Sequence, residues 1–280
     1  MAAPHATSVP DVTLNTGASM PQLGLGVWEV SPEDALTSVR AALDNGYRKI
    51  DTASAYENEV EVGRAIAGSG VPREELFVTT KLWNNDQGRD SARRAFEDSL
   101  RRLGMDYVDL YLIHWPAPAQ DRYVETWKTF EELHADGRAR AIGVSNFRVQ
   151  DLQRLFDECD VVPALNQIEL HPRLVQEELR AFHAEHGIVT EAWSPLASGG
   201  DVLRDPVVTA IAERHGKNPG QTIIRWHIQL GNVVIPRSIR PERIAGNIDV
   251  FDFELSDEEM ARISSLDAGE RTGPDPDNFG

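Results

Sequence analysis

An acid and a phenol stand five positions apart in Gly46-Tyr47-Arg48-Lys49-Ile50-Asp51-Thr52-Ala53-Ser54-Ala55-Tyr56, where a short apolar run gives way to a helical pattern. Two more chemically capable side chains close later apolar runs. Lys81 follows Leu76-Phe77-Val78-Thr79-Thr80, and His114 follows Tyr107-Val108-Asp109-Leu110-Tyr111-Leu112-Ile113. The steps from Asp51 to Lys81 and from Lys81 to His114 each match one strand plus one helix, so parallel strands bring their ends side by side. A free tyrosine hydroxyl, with a pKa of ~10, seldom yields its proton at neutral pH. An ammonium within hydrogen-bond reach favours the phenolate and makes Tyr56 a better acid toward a carbonyl oxygen gaining negative charge. Asp51 would keep Lys81 charged and aimed, and a neutral His114 would donate a hydrogen bond to the same oxygen. The expected chemistry is proton delivery to a developing alkoxide. The plain alternative is a structural ion pair between Asp51 and Lys81.

A proton donor of this kind needs an electron donor, and the sequence has a place for one. No dinucleotide fingerprint is present, because Gly24-Leu25-Gly26 lacks the third glycine. The strongest anion site is Val234-Ile235-Pro236-Arg237-Ser238-Ile239-Arg240-Pro241-Glu242-Arg243, which runs from a strand into a helix start. It offers free amides, a hydroxyl and three guanidinium groups, against the rival reading of a solvated basic turn. Further polar groups fall at strand ends: Ser145-Asn146 after Gly143-Val144, Asn166-Gln167, and Trp193-Ser194. Asn and Gln carry the donor and acceptor that a carboxamide requires, and Trp193 offers a flat face for an aromatic ring.

The elements that must position these residues form a regular series. Strands are predicted at Leu23–Trp28, Tyr47–Thr52, Leu76–Leu82, Tyr107–His114, Ala139–Val144, Ala164–Leu170, Ile188–Trp193 and Val233–Pro236. Helical patterns separate them: Pro32–Asn45 after the cap Ser31, Asp90–Leu103 before Gly104, Tyr123–Ala135, Val149–Glu158 and Gln176–His186 before Gly187. Asp205–His215 and Pro219–Leu230 both lie between the last two strands, so one is an insertion, and a helix after Pro241–Phe251 starts at the Ser256-Asp257-Glu258-Glu259 cap. Eight such units predict an α/β fold, a (β/α)8 TIM barrel in a single domain over 1–280. An N-terminal β-hairpin around Asn15–Gly17 would plug one end, and two extra helices would decorate it. Residues 1–10 read as a loose tail and 267–280 as a C-terminal loop over the mouth.

Composition narrows the partners. The chain of 280 residues carries a formal charge of −17, which repels nucleic-acid backbones and anionic membranes. No apolar run approaches the roughly 18–20 residues that span a bilayer, and the first ten residues do not resemble a secretory signal. The single cysteine, Cys159, makes an intrachain disulfide impossible and suits a reducing cytoplasm. A monomer acting on a small molecule is expected.

These residues resemble the aldo-keto reductases over nearly the whole chain. The first motif is Gly46 to Ala53 with Tyr56, Glu59 and Gly63, in which Lys49 is a less usual choice; later ones are Leu112-Ile113-His114-Trp115-Pro116, Gly143 to Phe147, Asn166-Gln167-Ile168-Glu169 and Ile235-Pro236-Arg237-Ser238. The resemblance implies NADPH-dependent reduction of aldehydes and ketones, with Asp51, Tyr56, Lys81 and His114 catalytic. It implies carboxamide contacts at Ser145, Asn146 and Gln167, a stacking face at Trp193, and pyrophosphate contacts at Ser194, Leu196 and Ser198. The 2′-phosphate would fall to Arg237, Ser238 and Arg243, the adenine to Asn247, with Gly26, Val27, Trp28, Asp51 and Ile235 along the same groove. Trp28, Tyr56, His114 and Trp115, joined by Phe279, would line the substrate side. Two departures stand out: Arg237 where many relatives have Lys, and Gly246 where many have an acidic residue, which removes one adenine contact. The short segment from Trp115 to Tyr123 and the compact C-terminal tail resemble the bacterial branch that includes 2,5-diketogluconate reductases, a resemblance that implies dicarbonyls and keto-sugars as substrates. Two rivals remain: a non-catalytic NADP(H)-binding sensor barrel, and a metal-dependent sugar isomerase barrel. The second needs clustered ligands; His183 and His186 share a helix face, but a solvated helix surface explains them better, and no metal is expected.

Overall fold

The computed structural model describes residues 9–280. Most of the tail expected over residues 1–10 therefore lies outside the described residues. The remainder belongs to the fold, since Pro10 O accepts a hydrogen bond from Gln22 N at 2.8 Å.

The chain opens with the expected hairpin, β1 (Asp11–Thr13) paired antiparallel with β2 (Ser19–Pro21) around Gly17, whose φ of 83° suits a residue without Cβ. Eight parallel strands follow in chain order: β3 (Leu25–Gly26), β4 (Lys49–Asp51), β5 (Phe77–Leu82), β6 (Val108–Ile113), β7 (Ala139–Ser145), β8 (Leu165–Glu169), β9 (Val189–Trp193) and β10 (Val233–Val234). The sheet closes because Gly24 N donates to Val234 O at 3.0 Å and Val234 N to Gln22 O at 3.0 Å. The two seam strands are shorter than predicted. Pro236 has no N–H to extend β10, and beyond Gly26 the chain turns away through Glu29, at φ 49°.

Among the described residues ten helices surround the strands: α1 (Pro32–Asp44), α2 (Glu59–Ala67), α3 (Arg89–Leu103), α4 (Tyr123–Ala135), α5 (Val149–Glu158), α6 (Glu177–Glu185), α7 (Pro206–His215), α8 (Pro219–Gln229), α9 (Pro241–Ile248) and α10 (Asp257–Ser264). Their ends follow local chemistry. Ser31 Oγ accepts from Asp34 N ahead of α1, Gly104 ends α3 at φ 66°, and Ser256 and Glu259 form a reciprocal capping box on α10. Helix α2 was not separately marked in the sequence, although Asn58 precedes it and Gly68 ends it. The extra helices are α7 and α10, which pack together through Val208, Ile211 and Ile263 in one apolar cluster.

Leu14 and Met20 of the hairpin pack against Phe77, Leu110, Ala141, Leu165 and Val233, closing the amino-terminal end of the barrel. Above that plug the interior is polar: Lys49, Asp51, Thr79, Lys81, Gln167 and Glu191 are all buried. Burying so many polar groups without loss requires each to find a partner, and these partners define the site.

Candidate active site

Strand ends carry the expected residues to one place. Asp51 is the last residue of β4, Lys81 lies near the end of β5, and His114 follows β6. Tyr56 sits in a single 3-10 turn, Ser54–Tyr56, whose Ser54 Oγ donates to Lys81 O at 3.0 Å. Beyond it, Glu57 takes φ 56°, and the Asn58 side chain donates to Val27 O and Val30 O while accepting from Thr52 Oγ1. That turn holds the phenol over the barrel axis.

Lys81 Nζ lies 2.6 Å from Asp51 Oδ1, 3.0 Å from Thr52 O and 3.3 Å from Tyr56 OH. All three ammonium donors are thus committed. The Tyr56 hydroxyl is 3.5 Å from His114 Nε2, and Asp51 Oδ2 accepts from Gln167 Nε2 at 2.8 Å. The four residues expected to act together meet.

Their electrostatics follow from burial. Burial and then the Lys81 charge hold His114 well below the usual histidine range, so it is neutral. Burial alone would lower the Lys81 pKa, but Asp51 and Tyr56 more than offset it, and the amine stays charged. For Tyr56 the sequence expectation needs correcting. Lys81 does pull its pKa down, but burial outweighs that pull, Asp51 and Glu191 push the same way as burial, and the net shift is upward. At neutral pH the group is therefore a phenol that holds its proton until a nearby oxygen becomes basic.

Above these residues lies a cleft of about 1640 Å³. Gly26, Trp28, Asp51, Tyr56, His114, Trp115, Ser145, Asn146, Gln167, Trp193, Ser194, Leu196, Ser198, Ile235, Arg237, Ser238, Arg243 and Asn247 all line it. Lys81 is beneath its floor. Val27 is not among the lining residues: its side chain is fully buried in the core, and its backbone N donates to Asp51 O at 3.1 Å. The polar groups at one end brace one another. Trp193 Nε1 donates to Asn146 Oδ1 at 2.8 Å, Asn146 Nδ2 to His114 O at 3.0 Å, and Ser145 Oγ to Gln167 O at 2.8 Å. At the other end Arg237 reaches Glu29, with 3.6 Å between charged groups and 3.1 Å to the backbone oxygen, while Gly246 leaves open space where a Cβ would stand. An aromatic face with amide-compatible neighbours at one end and guanidinium groups at the other suit a planar carboxamide linked to a polyanion.

The C-terminal segment lies over the mouth. Glu169, whose side chain has no exposed surface, accepts from Thr272 N, Thr272 Oγ1 and Gly273 N, and faces His171. Gly273 packs on the Trp193 ring so closely that a Cβ would lie 2.4 Å from it. Phe279 rests 4.5 Å from Trp115 between ring centres and 6.2 Å from Trp83. Trp83 lines the cleft and was passed over in the sequence, and Glu169, named there only as part of a motif, anchors the segment that covers it. Trp83, two residues beyond Lys81, lies 5.2 Å from the His114 ring, and its place at a strand end was the available signal. His183 is a further correction, being buried rather than on a solvated surface. Its ring nitrogens lie 2.9 Å from Asn166 Nδ2 and 2.9 Å from Thr190 Oγ1. Among the described residues no group of three or more His, Cys, Asp or Glu side chains is arranged to hold a metal ion, and no helix is long and apolar enough to cross a membrane.

A family model described as the aldo/keto reductase family matches residues 17–268. An aldo-keto reductase of Mycolicibacterium smegmatis is 60% identical over 270 residues, which cover 96% of this chain and 98% of that one. Methylglyoxal reductase DkgA of Escherichia coli is 54% identical over the same shares of each chain. Among solved structures, an NADPH complex of a variant of Gox0644 superposes with a TM-score of 0.93 at 47% identity, covering 98% of this chain and 99% of that one. The chain belongs to the aldo/keto reductase family, and its architecture is that family's (β/α)8 barrel. It is an oxidoreductase acting on carbonyl compounds.

Proposed function

We propose that the protein is an NADPH-dependent reductase of small aldehydes, dicarbonyls or keto-sugars, in which Tyr56 protonates the carbonyl oxygen. The observation that carries this is the triple engagement of Lys81 by Asp51, Thr52 and Tyr56, with His114 neutral beside the phenol. NADPH, when bound, supplies the hydride. Ser145, Asn146, Gln167 and Trp193 would hold its nicotinamide, and Ser194, Leu196 and Ser198 its pyrophosphate. Arg237, Ser238, Arg243 and Asn247 would take the 2′-phosphate and adenine, with Gly26, Trp28 and Ile235 along the groove.

The chain's own residues do the rest. His114 fixes the carbonyl oxygen by hydrogen bonding, and Tyr56 passes its proton to that oxygen as negative charge develops. The phenolate left behind faces the Lys81 ammonium, which Asp51 keeps charged. Trp28, Trp83, Trp115 and Phe279 surround the substrate with aromatic surface and limit water. A relative named methylglyoxal reductase supports small dicarbonyls as first candidates.

Tyr56→Phe tests the reading. It should bind NADPH like the wild type while kcat falls by about three orders of magnitude, the middle of the range for one acid group; wild-type turnover would exclude Tyr56 as the donor. Oxidation of NADPH against a panel of aldehydes, dicarbonyls and keto-sugars ranks the substrates, and no turnover on any of them would favour the sensor reading. We also read the protein as a cytoplasmic monomer. Among the described residues the exposed large apolar side chains are Trp28, Val60, Val162 and Ile239, and all but Val162 line the cleft. A dimer in sedimentation would contradict this.

A further inference from the structure

The mechanism above leaves two buried charges unused. Lys49 and Glu191, neither with any exposed side-chain surface, meet at 3.0 Å inside the barrel. Lys49 precedes Asp51 by two residues on β4, so it points into the same interior one step nearer the plug. The barrel makes room for its stem with Gly24, where a Cβ would fall 2.7 Å from Lys49 Cγ. Lys49 Nζ also donates to Thr79 Oγ1 at 3.2 Å. Glu191 Oε2 accepts from Gln167 Nε2 at 3.1 Å, and the same nitrogen donates to Asp51 Oδ2 at 2.8 Å.

Both amide protons of Gln167 are therefore taken by carboxylates. The reversed amide would place Oε1 between two negative groups with no proton to share, so the observed orientation is the only satisfied one. That leaves Gln167 Oε1, which accepts no hydrogen bond among the described residues, as the atom Gln167 offers to the cleft it lines.

We propose that Lys49 and Glu191 are a positioning pair: Glu191, paired with Lys49 at 3.0 Å, accepts from Gln167 and locks it so that it presents only an acceptor, and so admits the nicotinamide carboxamide in the rotamer that turns its NH2 toward Gln167. This rests on the reading that the cleft takes NADPH. Burial raises the Glu191 carboxyl above its usual range; Lys49 and the Gln167 hydrogen bond oppose that rise and Asp51 adds to it, so the net shift is upward and the paired ammonium is the main group favouring the acceptor form.

Two electroneutral variants separate orientation from packing, since neither leaves a lone buried charge to unfold the barrel. K49M/E191M removes the acceptor that Gln167 uses; K49M/E191Q keeps one. The probes are NADPH and adenosine 2′,5′-bisphosphate, which carries the phosphate end and no nicotinamide, with dissociation constants read from tryptophan fluorescence. The expected result is a loss of about tenfold in NADPH affinity for K49M/E191M, the weight of one hydrogen bond near charged groups, with K49M/E191Q close to wild type. Adenosine 2′,5′-bisphosphate should bind all three proteins alike. Equal NADPH affinities in the two variants, or parallel losses for both probes, would overturn the proposal. Wild-type protein that fails to bind NADPH would instead remove the underlying reading before either variant is compared.

Discussion

Replacing Lys81 by Met separates what the buried ion pair does for stability from what it does for chemistry. The ammonium is fully buried and makes three hydrogen bonds, one of them to a carboxylate at 2.6 Å. Removing it leaves Asp51, 2% exposed, with Gln167 as its remaining side-chain partner and no cation in contact. The next cation, Lys49, is already engaged with Glu191. Breaking one partner of a buried pair typically costs about 3–5 kcal/mol, so urea unfolding at pH 7 should show a loss of that size. Tyr56 also loses both the charge and the hydrogen bond of Lys81, which pull its pKa down, and becomes a still weaker acid. kcat should fall by a factor of about 10²–10⁴, the range for a disabled general acid. Lys81→Met combined with Asp51→Leu removes both charges and should recover most of the stability, because apolar replacement of a whole buried pair is often neutral or better. It should recover none of the rate. If the double variant regains turnover within about tenfold of wild type, the pair is structural and the acid mechanism is wrong.

Three other outcomes test separate parts of the molecule. Arg243→Ala, at the exposed wall of the cleft, should weaken NADPH by about 10–100-fold, as expected for a lost charge-assisted phosphate contact, and NADH far less; equal losses for both cofactors would remove Arg243 from the 2′-phosphate. Burial holds His183 and His227 neutral, each with its pKa lowered to about 3. Between that value and the unfolded ~6.5 the unfolded chain binds more protons, so stability falls on acidification, by roughly 2 kcal/mol per histidine from pH 7 to pH 5. Urea curves at both pH values should show that slope flattened in His183→Gln; an unchanged slope would contradict the assignment. Finally, a Cβ at Gly63 would sit 2.1 Å from Leu103 O, where α2 crosses α3, so Gly63→Ala should lower stability by about 1–3 kcal/mol or more, and an unshifted melting temperature would show that the helices can part freely.

The series of apolar runs and capped helices was enough to place eight strands and most of the helices, because strand and helix periodicities and cap residues are local properties of the chain. Asp51, Lys81 and His114 could be aligned from spacing alone, since parallel strands of similar length bring their carboxyl ends to one rim. The basic corner from Arg237 to Arg243 was legible for the same reason, being contiguous. Three things were not local. The net direction of the Tyr56 shift depends on how deeply the phenol is buried beside Asp51 and Glu191, groups 5 and 135 residues away in sequence. The burial of His183 depends on Asn166 and Thr190 closing over a helix face that periodicity alone leaves undecided. The pairing of Lys49 with Glu191 spans the barrel, and no spacing rule connects β4 to β9 until the sheet has closed. Sequence by itself determined which residue types reach the mouth of the barrel. Only tertiary structure decided which charges face one another, because electrostatic energy is set by distance and burial, and both come from how the strands curl.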